Sequence, residues 1–139
     1  MKHPLLQEFN YQITFDVRDY ELDSEGIVNN AVYLHYLEYT RHRFCQDAGV
    51  AFGRLQAMGI VPVARRVEID YHTPLRSGDS VVSALSLTRN GARFVFHQAL
   101  FIAGIETLAA EAVVTIVCLQ NGKPSRGDEL AEYLSSAID

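Results

Sequence analysis

Val17-Arg-Asp-Tyr-Glu-Leu-Asp-Ser-Glu-Gly-Ile-Val-Asn-Asn30 is where this chain changes period, and its reading decides the fold. Ahead of it, Tyr11 to Tyr20 reads as a strand, because Ile13, Phe15 and Val17 alternate with Gln12, Thr14, Asp16 and Arg18. Within it, Asp23-Ser-Glu-Gly26 is turn chemistry, with Gly26 supplying a positive φ or a close approach of ligand. If the strand runs on through Leu22, alternation sends Asp19, Glu21 and Asp23 to one side. Glu21 is then expected in solvent, since three clustered carboxylates repel one another. Behind the turn, Asn29 and Asn30 are both credible caps for a helix that runs to about Ala48. Tyr33, Leu37, Thr40 and Phe44 make its apolar stripe with Tyr36 beside it, and Glu38, Arg41, His42 and Arg43 supply polar faces. Gly49 is the stop, and a short second helix is expected over Phe52 to Met58.

Four extended segments follow. Ile60 to Tyr71 carries Val63, Val67, Ile69 and Tyr71, and closes at Pro74 and the Arg76-Ser-Gly-Asp79 turn. Ser80 to Thr88 alternates, Arg89-Asn-Gly91 is a hairpin signal, and Arg93 to Ala103 and Leu108 to Leu119 are β-rich. An Asn121-Gly-Lys-Pro124 turn leads to a short acidic tail with helical character. The expected class is therefore α+β, with five strands and one long helix in a single domain over residues 1–139. One helix covers one face of such a sheet, so the other apolar face needs cover, and a second copy of the chain is the simplest cover.

The formal net charge of -5 disfavours nucleic acid as a partner. No apolar run reaches the length of a membrane span, and the first ten residues are too polar for a signal peptide. Cys45 and Cys118 lie far apart among apolar neighbours and read as buried thiols, so a cytoplasmic location is expected. No Cys/His spacing suits zinc, and neither metal nor cofactor is expected.

Three stretches together resemble the hotdog-fold acyl-thioester hydrolases of the 4-hydroxybenzoyl-CoA thioesterase type. They are Tyr20-Glu-Leu-Asp-Ser-Glu-Gly-Ile-Val-Asn-Asn-Ala-Val-Tyr33, Tyr36-Leu-Glu-Tyr-Thr-Arg41, and Val67-Glu-Ile-Asp-Tyr-His-Thr-Pro-Leu-Arg-Ser-Gly-Asp79. The resemblance implies a curved antiparallel sheet wrapped around the long helix, and a homodimer or homotetramer with its site near the subunit interface. It also implies an acyl or aryl thioester as substrate, carried on CoA or on acyl carrier protein. The acidic net charge favours CoA.

Asp23 matches the family's loop acid and is the main catalytic candidate, as nucleophile on the thioester carbonyl or as general base towards water. Backbone N–H groups of Ala31, Val32 or Tyr33, at the positive end of the helix, are candidate donors to the oxyanion. Asn30 stands where some branches carry histidine, which argues against a histidine-assisted mechanism and leaves an amide to orient carbonyl or water. Glu38 on the helix is the second candidate acid, with Arg41 and His42 on the same side. Gly26, Asn29, Tyr33 and Tyr36 are candidate substrate contacts, and Arg89 and Arg93 are the candidate phosphate-binding pair. His72 receives no catalytic role. A CoA-linked hydratase or dehydratase, and a non-catalytic acyl-thioester binding or sensor subunit, are the alternatives.

Overall fold

A computed structural model describes residues 4–138. Strand β1 (Tyr11–Asp16) is followed by helix α1 (Asn30–Asp47), the short α2 (Phe52–Ala57), and strands β2 (Ile60–Tyr71), β3 (Ser80–Asn90), β4 (Arg93–Ile102) and β5 (Thr107–Gln120). A three-residue β6 (Lys123–Ser125) and helix α3 (Asp128–Tyr133) close the described chain. The sheet is antiparallel with order β1-β3-β4-β5-β2, and β6 pairs with β5. The sequence pattern predicts five strands. The sixth is a hairpin return at Asn121-Gly122, too short to show a period of two.

The core lies between α1 and one face of the sheet. Leu87, Phe96, Val114 and Val67 follow one another across four strands and so share that face. Tyr33, Tyr36, Leu37, Thr40 and Phe44 are the buried stripe of α1 that meets it. Phe44 meets Phe96 edge to face at 5.9 Å. Two polar ties fix the helix register. Thr40 and Ser83 hydroxyls are 2.6 Å apart, and the Gln98 amide donates to the Leu37 carbonyl at 3.1 Å. α1 lies over the β1–β3–β4 half, so the inward face of β2 is only partly covered. Val67 there remains 40 % exposed.

The opposite face is partly covered by the chain itself. A 3-10 turn over Pro4–Glu8 folds back, and Leu6 is buried with Ala84, Ala99 and Phe101, with Leu5 and Phe9 packed beside them. The chain's own N-terminal turn thus covers part of the face for which a second copy is the simplest cover. The N-terminal residues are too few to show a periodicity that could announce the cover.

β1 ends earlier than expected. After Asp16 the chain turns through a 3-10 helix, Asp19–Glu21, so the alternation that would expose Glu21 does not apply. Glu21 is instead buried (7 % exposed), and its carboxylate accepts the Tyr36 hydroxyl and the Arg18 amide, each at 2.7 Å. Two acceptor bonds and the nearby Arg18 guanidinium, 3.6 Å away, offset the cost of its desolvation.

Candidate active site

The loop between the 3-10 turn and α1 is held at both ends. Leu22 and Val28 form a bridge, as do Ile27 and Arg76 of the turn before β3. The Val28 amide donates to Leu75 O and the Asn29 amide to Glu21 O. Gly26 sits at the loop tip with φ of 80°, a left-handed conformation that its lack of a Cβ permits. It shapes the loop and does not line the recess described below.

Asp23 organises the turn through one oxygen. Its Oδ1 accepts the Glu25 amide at 2.8 Å and the Ile27 amide at 3.4 Å. Among the hydrogen bonds of the described residues Oδ2 takes none, and Asp23 lines a recess of about 310 Å³ with Val28, Asn30, Tyr33, Tyr71, His72, Thr73 and Pro74. Asp23 and the first residue of α1 therefore open onto one space.

The helix start is more committed than the sequence suggests. Asn29 is the N-cap, and its side-chain oxygen accepts the Ala31 amide at 2.9 Å. The Val32 amide donates to the Asn29 carbonyl at 2.9 Å. Ala31 and Val32 are thus already engaged as donors, which corrects their place as oxyanion candidates. The Asn30 amide, one position earlier, has no partner among the described hydrogen bonds.

The two candidate tyrosines part company. Tyr33 borders the recess, and its hydroxyl accepts the Leu75 amide at 3.2 Å. Burial pushes its phenol pKa up, so it stays neutral. Tyr36 points to the β1 side, where its hydroxyl is committed to Glu21 and its ring lies 4.8 Å from Phe15. Burial first, and the Glu21 bond second, raise its pKa. It supports the loop and does not line the Asp23 recess.

Tyr71 and His72 are not among the sequence candidates. The Tyr71 hydroxyl donates to Asn30 O at 3.0 Å and its ring meets Tyr33 edge to face at 5.0 Å. His72 Nε2 lies 3.4 Å from Glu111 Oε1. Both residues reach the recess because β2 pairs with β5 and the following turn bonds back to Val28. The alternation of β2 hints that Tyr71 faces inward. Nothing local to the sequence puts it against a helix start 41 residues away.

Glu38 lies elsewhere. Eight residues along α1 from Asn30 is about 12 Å of axis, and Glu38 borders a second recess with Arg41, His42 and Cys45. Arg41 is half-buried there and donates to Gln98 Oε1 at 3.0 Å; its desolvation lowers its pKa, against the opposing pull of Glu38. Asp23 and Glu38 are separate sites within one chain.

Arg89 and Arg93 are at the far end of β3 and β4 from Asp23. Arg89 donates to Asp128 Oδ1 at 2.6 Å and to Arg126 O at 2.8 Å, and its guanidinium lies 5.4 Å from the Phe94 ring centre. It pins α3 to the sheet. Arg93 instead shares an open polar depression with Arg65, Arg66, Glu68 and Thr115. Among the described residues no three His, Cys, Asp or Glu side chains group as a metal set. No described helix is long and apolar enough to cross a membrane.

A sheet wrapped on one long helix, with an acid loop at the helix start, defines the hotdog class. Residues 17–138 match the family model of the thioesterase-like superfamily, and the chain belongs to that family. The match carries the superfamily and stops short of the 4-hydroxybenzoyl-CoA branch. The chain is 34 % identical over 117 residues to the chloroplastic acyl-acyl carrier protein thioesterase ATL3 of Arabidopsis thaliana, covering 84 % of this chain and 61 % of that one. It thus spans about three fifths of the plant relative's length. It is 30 % identical over 106 residues to the acyl-CoA thioester hydrolase YbgC of Escherichia coli, covering 71 % of this chain and 74 % of that one. A solved thioesterase from Thermus thermophilus, complexed with coenzyme A and Zn, superposes with a TM-score of 0.77 at 27 % identity, over 93 % of this chain and 95 % of that one.

Proposed function

We propose that this protein hydrolyses an acyl thioester to a carboxylic acid and a thiol at the Asp23 recess, with a CoA thioester as the preferred substrate. The observation that carries this reading is that Asp23 and Asn30, whose backbone amide has no partner among the described hydrogen bonds, line the same recess of about 310 Å³. A thioester carbonyl seated there meets a carboxylate on one side and a helix-end donor on the other. Asn30 N–H, aided by the positive end of α1, stabilises the oxyanion; one such donor contributes about 3 kcal/mol in the transition state. Asp23 either attacks the carbonyl carbon, expelling the thiolate and leaving an anhydride that water opens, or takes a proton from a water that attacks instead. In both routes the C–S bond breaks; in the first the thiolate takes its proton from solvent, and in the second it takes the proton that Asp23 drew from the attacking water. Tyr71 and Tyr33 wall the recess, and Asn29 holds the helix end open by satisfying Ala31 and Val32.

The thiol-bearing portion ends in phosphates, and Arg65, Arg66 and Arg93 offer directed donors for them round one polar depression. Arg89 is already committed to Asp128. A homodimer fits the same reading. β2 is twelve residues long and pairs among the described strands only with β5, so its other edge is open. Antiparallel self-pairing about Val67 sets Arg66 of one copy opposite Glu68 of the other. It also brings the arginine depression of one copy towards the Tyr71 end of β2 in the other.

The test is a panel of acyl and aryl thioesters read by thiol release, with wild type and Asp23→Asn. Asparagine keeps the Oδ1 acceptor for Glu25 and Ile27, so the turn is retained. Turnover is expected to fall at least about a hundredfold. Turnover near wild type in a folded Asp23→Asn protein refutes the assignment, and loss in Glu38→Gln alone transfers it to the helix.

A further inference from the structure

The face of the sheet turned away from α1 carries a recess that the chemistry at Asp23 does not use. Ser86, His97 and Val113 follow one another across β3, β4 and β5 on that face, and Glu68 of β2 completes the row. In the neighbouring row Asp70 and Glu111 are direct cross-strand partners. Leu5, Glu8 and Phe9 of the N-terminal turn close this area into a recess of about 340 Å³. The carboxylates of Glu8, Glu68, Asp70 and Glu111 border it, and no lysine or arginine is among its lining residues.

Both ends of this recess are unbalanced. Like charges directly opposite on paired strands repel, and Asp70 faces Glu111 with no ion pair of its own among the described residues. The nearby cations serve the flanks: Arg66 lies 3.4 Å from Glu68, and His72 3.4 Å from Glu111. At the other end Ser86 is only 7 % exposed, and its hydroxyl has no hydrogen bond among the described residues. A buried hydroxyl is unfavourable without a partner, and Ser86 lines the recess, where a ligand can supply one.

We propose that this recess binds a linear aliphatic polyamine, with one terminal ammonium between Asp70 and Glu111 and the other at the Ser86 hydroxyl. Length and chemistry both select that class. Glu111 and Ser86 are two strands apart, about 10 Å, and two residues apart along the strands, about 7 Å, so the diagonal is about 12 Å. The end nitrogens of extended spermidine are about 11 Å apart, at about 1.25 Å per bond for ordinary bond lengths and angles. Those of 1,4-diaminobutane reach about half as far. The methylenes between the charges lie along Val113, with Leu5 and Phe9 beside them. Glu8 and Glu68 keep the potential negative for an inner ammonium. The carboxylates are spread along the recess, and among the described residues none of them groups as a metal set.

Spermidine, 1,4-diaminobutane and pentalysine are titrated calorimetrically at about 0.15 M salt, where exposed charges more than about 8 Å apart are largely screened. The proteins are wild type, Asp70→Asn/Glu111→Gln, Ser86→Ala, and Glu129→Gln/Glu132→Gln, which removes the same charge from exposed positions of α3. Far-ultraviolet dichroism establishes that each is folded. Wild type is expected to bind spermidine at least about tenfold more tightly than either other probe, and Asp70→Asn/Glu111→Gln to lose at least about tenfold. Ser86→Ala is expected to lose about fivefold, the worth of one hydrogen bond. The α3 variant is expected to bind as wild type does. No binding of spermidine, equal or tighter binding of 1,4-diaminobutane or pentalysine, or equal losses in the two double variants overturns the proposal. Wild-type affinity in Ser86→Ala does so too, and that variant decides the matter if Asp70→Asn/Glu111→Gln is unfolded. The site stands apart from thioester hydrolysis, so a protein without turnover that binds spermidine in this pattern still supports it.

Discussion

Replacing Tyr36 by Phe removes one oxygen and tests whether the Asp23 loop is clamped from beneath. The Tyr36 hydroxyl donates at 2.7 Å to Glu21, and the two residues are 3 % and 7 % exposed. The ring packs against Phe15 and Tyr33, contacts that phenylalanine keeps. The loss is thus confined to a buried hydrogen bond onto a charged group, worth about 1.5–3 kcal/mol. Arg18 N–H still holds the same oxygen, which sets the expectation near the middle, about 2 kcal/mol. With a urea m-value of about 2 kcal/mol/M, the unfolding midpoint falls by about 1 M at unchanged slope. Glu21→Gln and the double variant complete a cycle, with an expected coupling of at least about 1 kcal/mol. A midpoint shift under about 0.2 M, or additive single effects, refutes the clamp. Because Glu21 also receives the Asn29 amide on its carbonyl, Tyr36→Phe is further expected to lower thioester turnover more than it changes KM.

The remaining expectations concern other parts of the chain. Gly127→Ala forces a Cβ to within 2.6 Å of the Phe94 ring at a φ of 73°, and is expected to cost about 2 kcal/mol or more in thermal or urea unfolding. Gly26→Ala meets nothing within 4 Å and is expected to cost only the left-handed backbone strain, about 1 kcal/mol, in the same assay. Cys45, raised to about 11, is expected to alkylate with iodoacetamide at pH 8 about two orders of magnitude more slowly than a free thiol, with the rate climbing as pH approaches 11; free-thiol reactivity at pH 8 contradicts its burial. The hydrogen bond from Arg89 holds the Asp128 carboxyl below the ordinary carboxylate range. A depressed acid contributes stability above its unfolded pKa and loses it as pH falls through the folded one. Carboxyl NMR titration of Arg89→Gln is therefore expected to return Asp128 to an ordinary value and to remove its share of the acid-side loss of stability.

The sequence alone determined most of the elements and the turn that carries Asp23. The even spacing in β2 and β3, the β-rich runs of β4 and β5, the stripe of α1, and the turn chemistry at Asp23–Gly26 and Asn90–Gly91 are all local. Local periodicity is set by which side of a strand or helix a residue occupies, and that is written in the order of the residues. The tertiary structure alone decided which local features meet. It turned Glu21 inward beneath Tyr36, engaged Ala31 and Val32 with Asn29, and left the Asn30 amide without a partner among the described hydrogen bonds. It brought Tyr71 and His72 to Asp23, tied Arg89 to Asp128, and folded Leu6 onto the sheet's second face. Each of these depends on the crossing of elements distant in the chain, or on a segment too short to carry a period. Burial and hydrogen-bond competition settle such contacts, and both exist only once the chain has closed around α1.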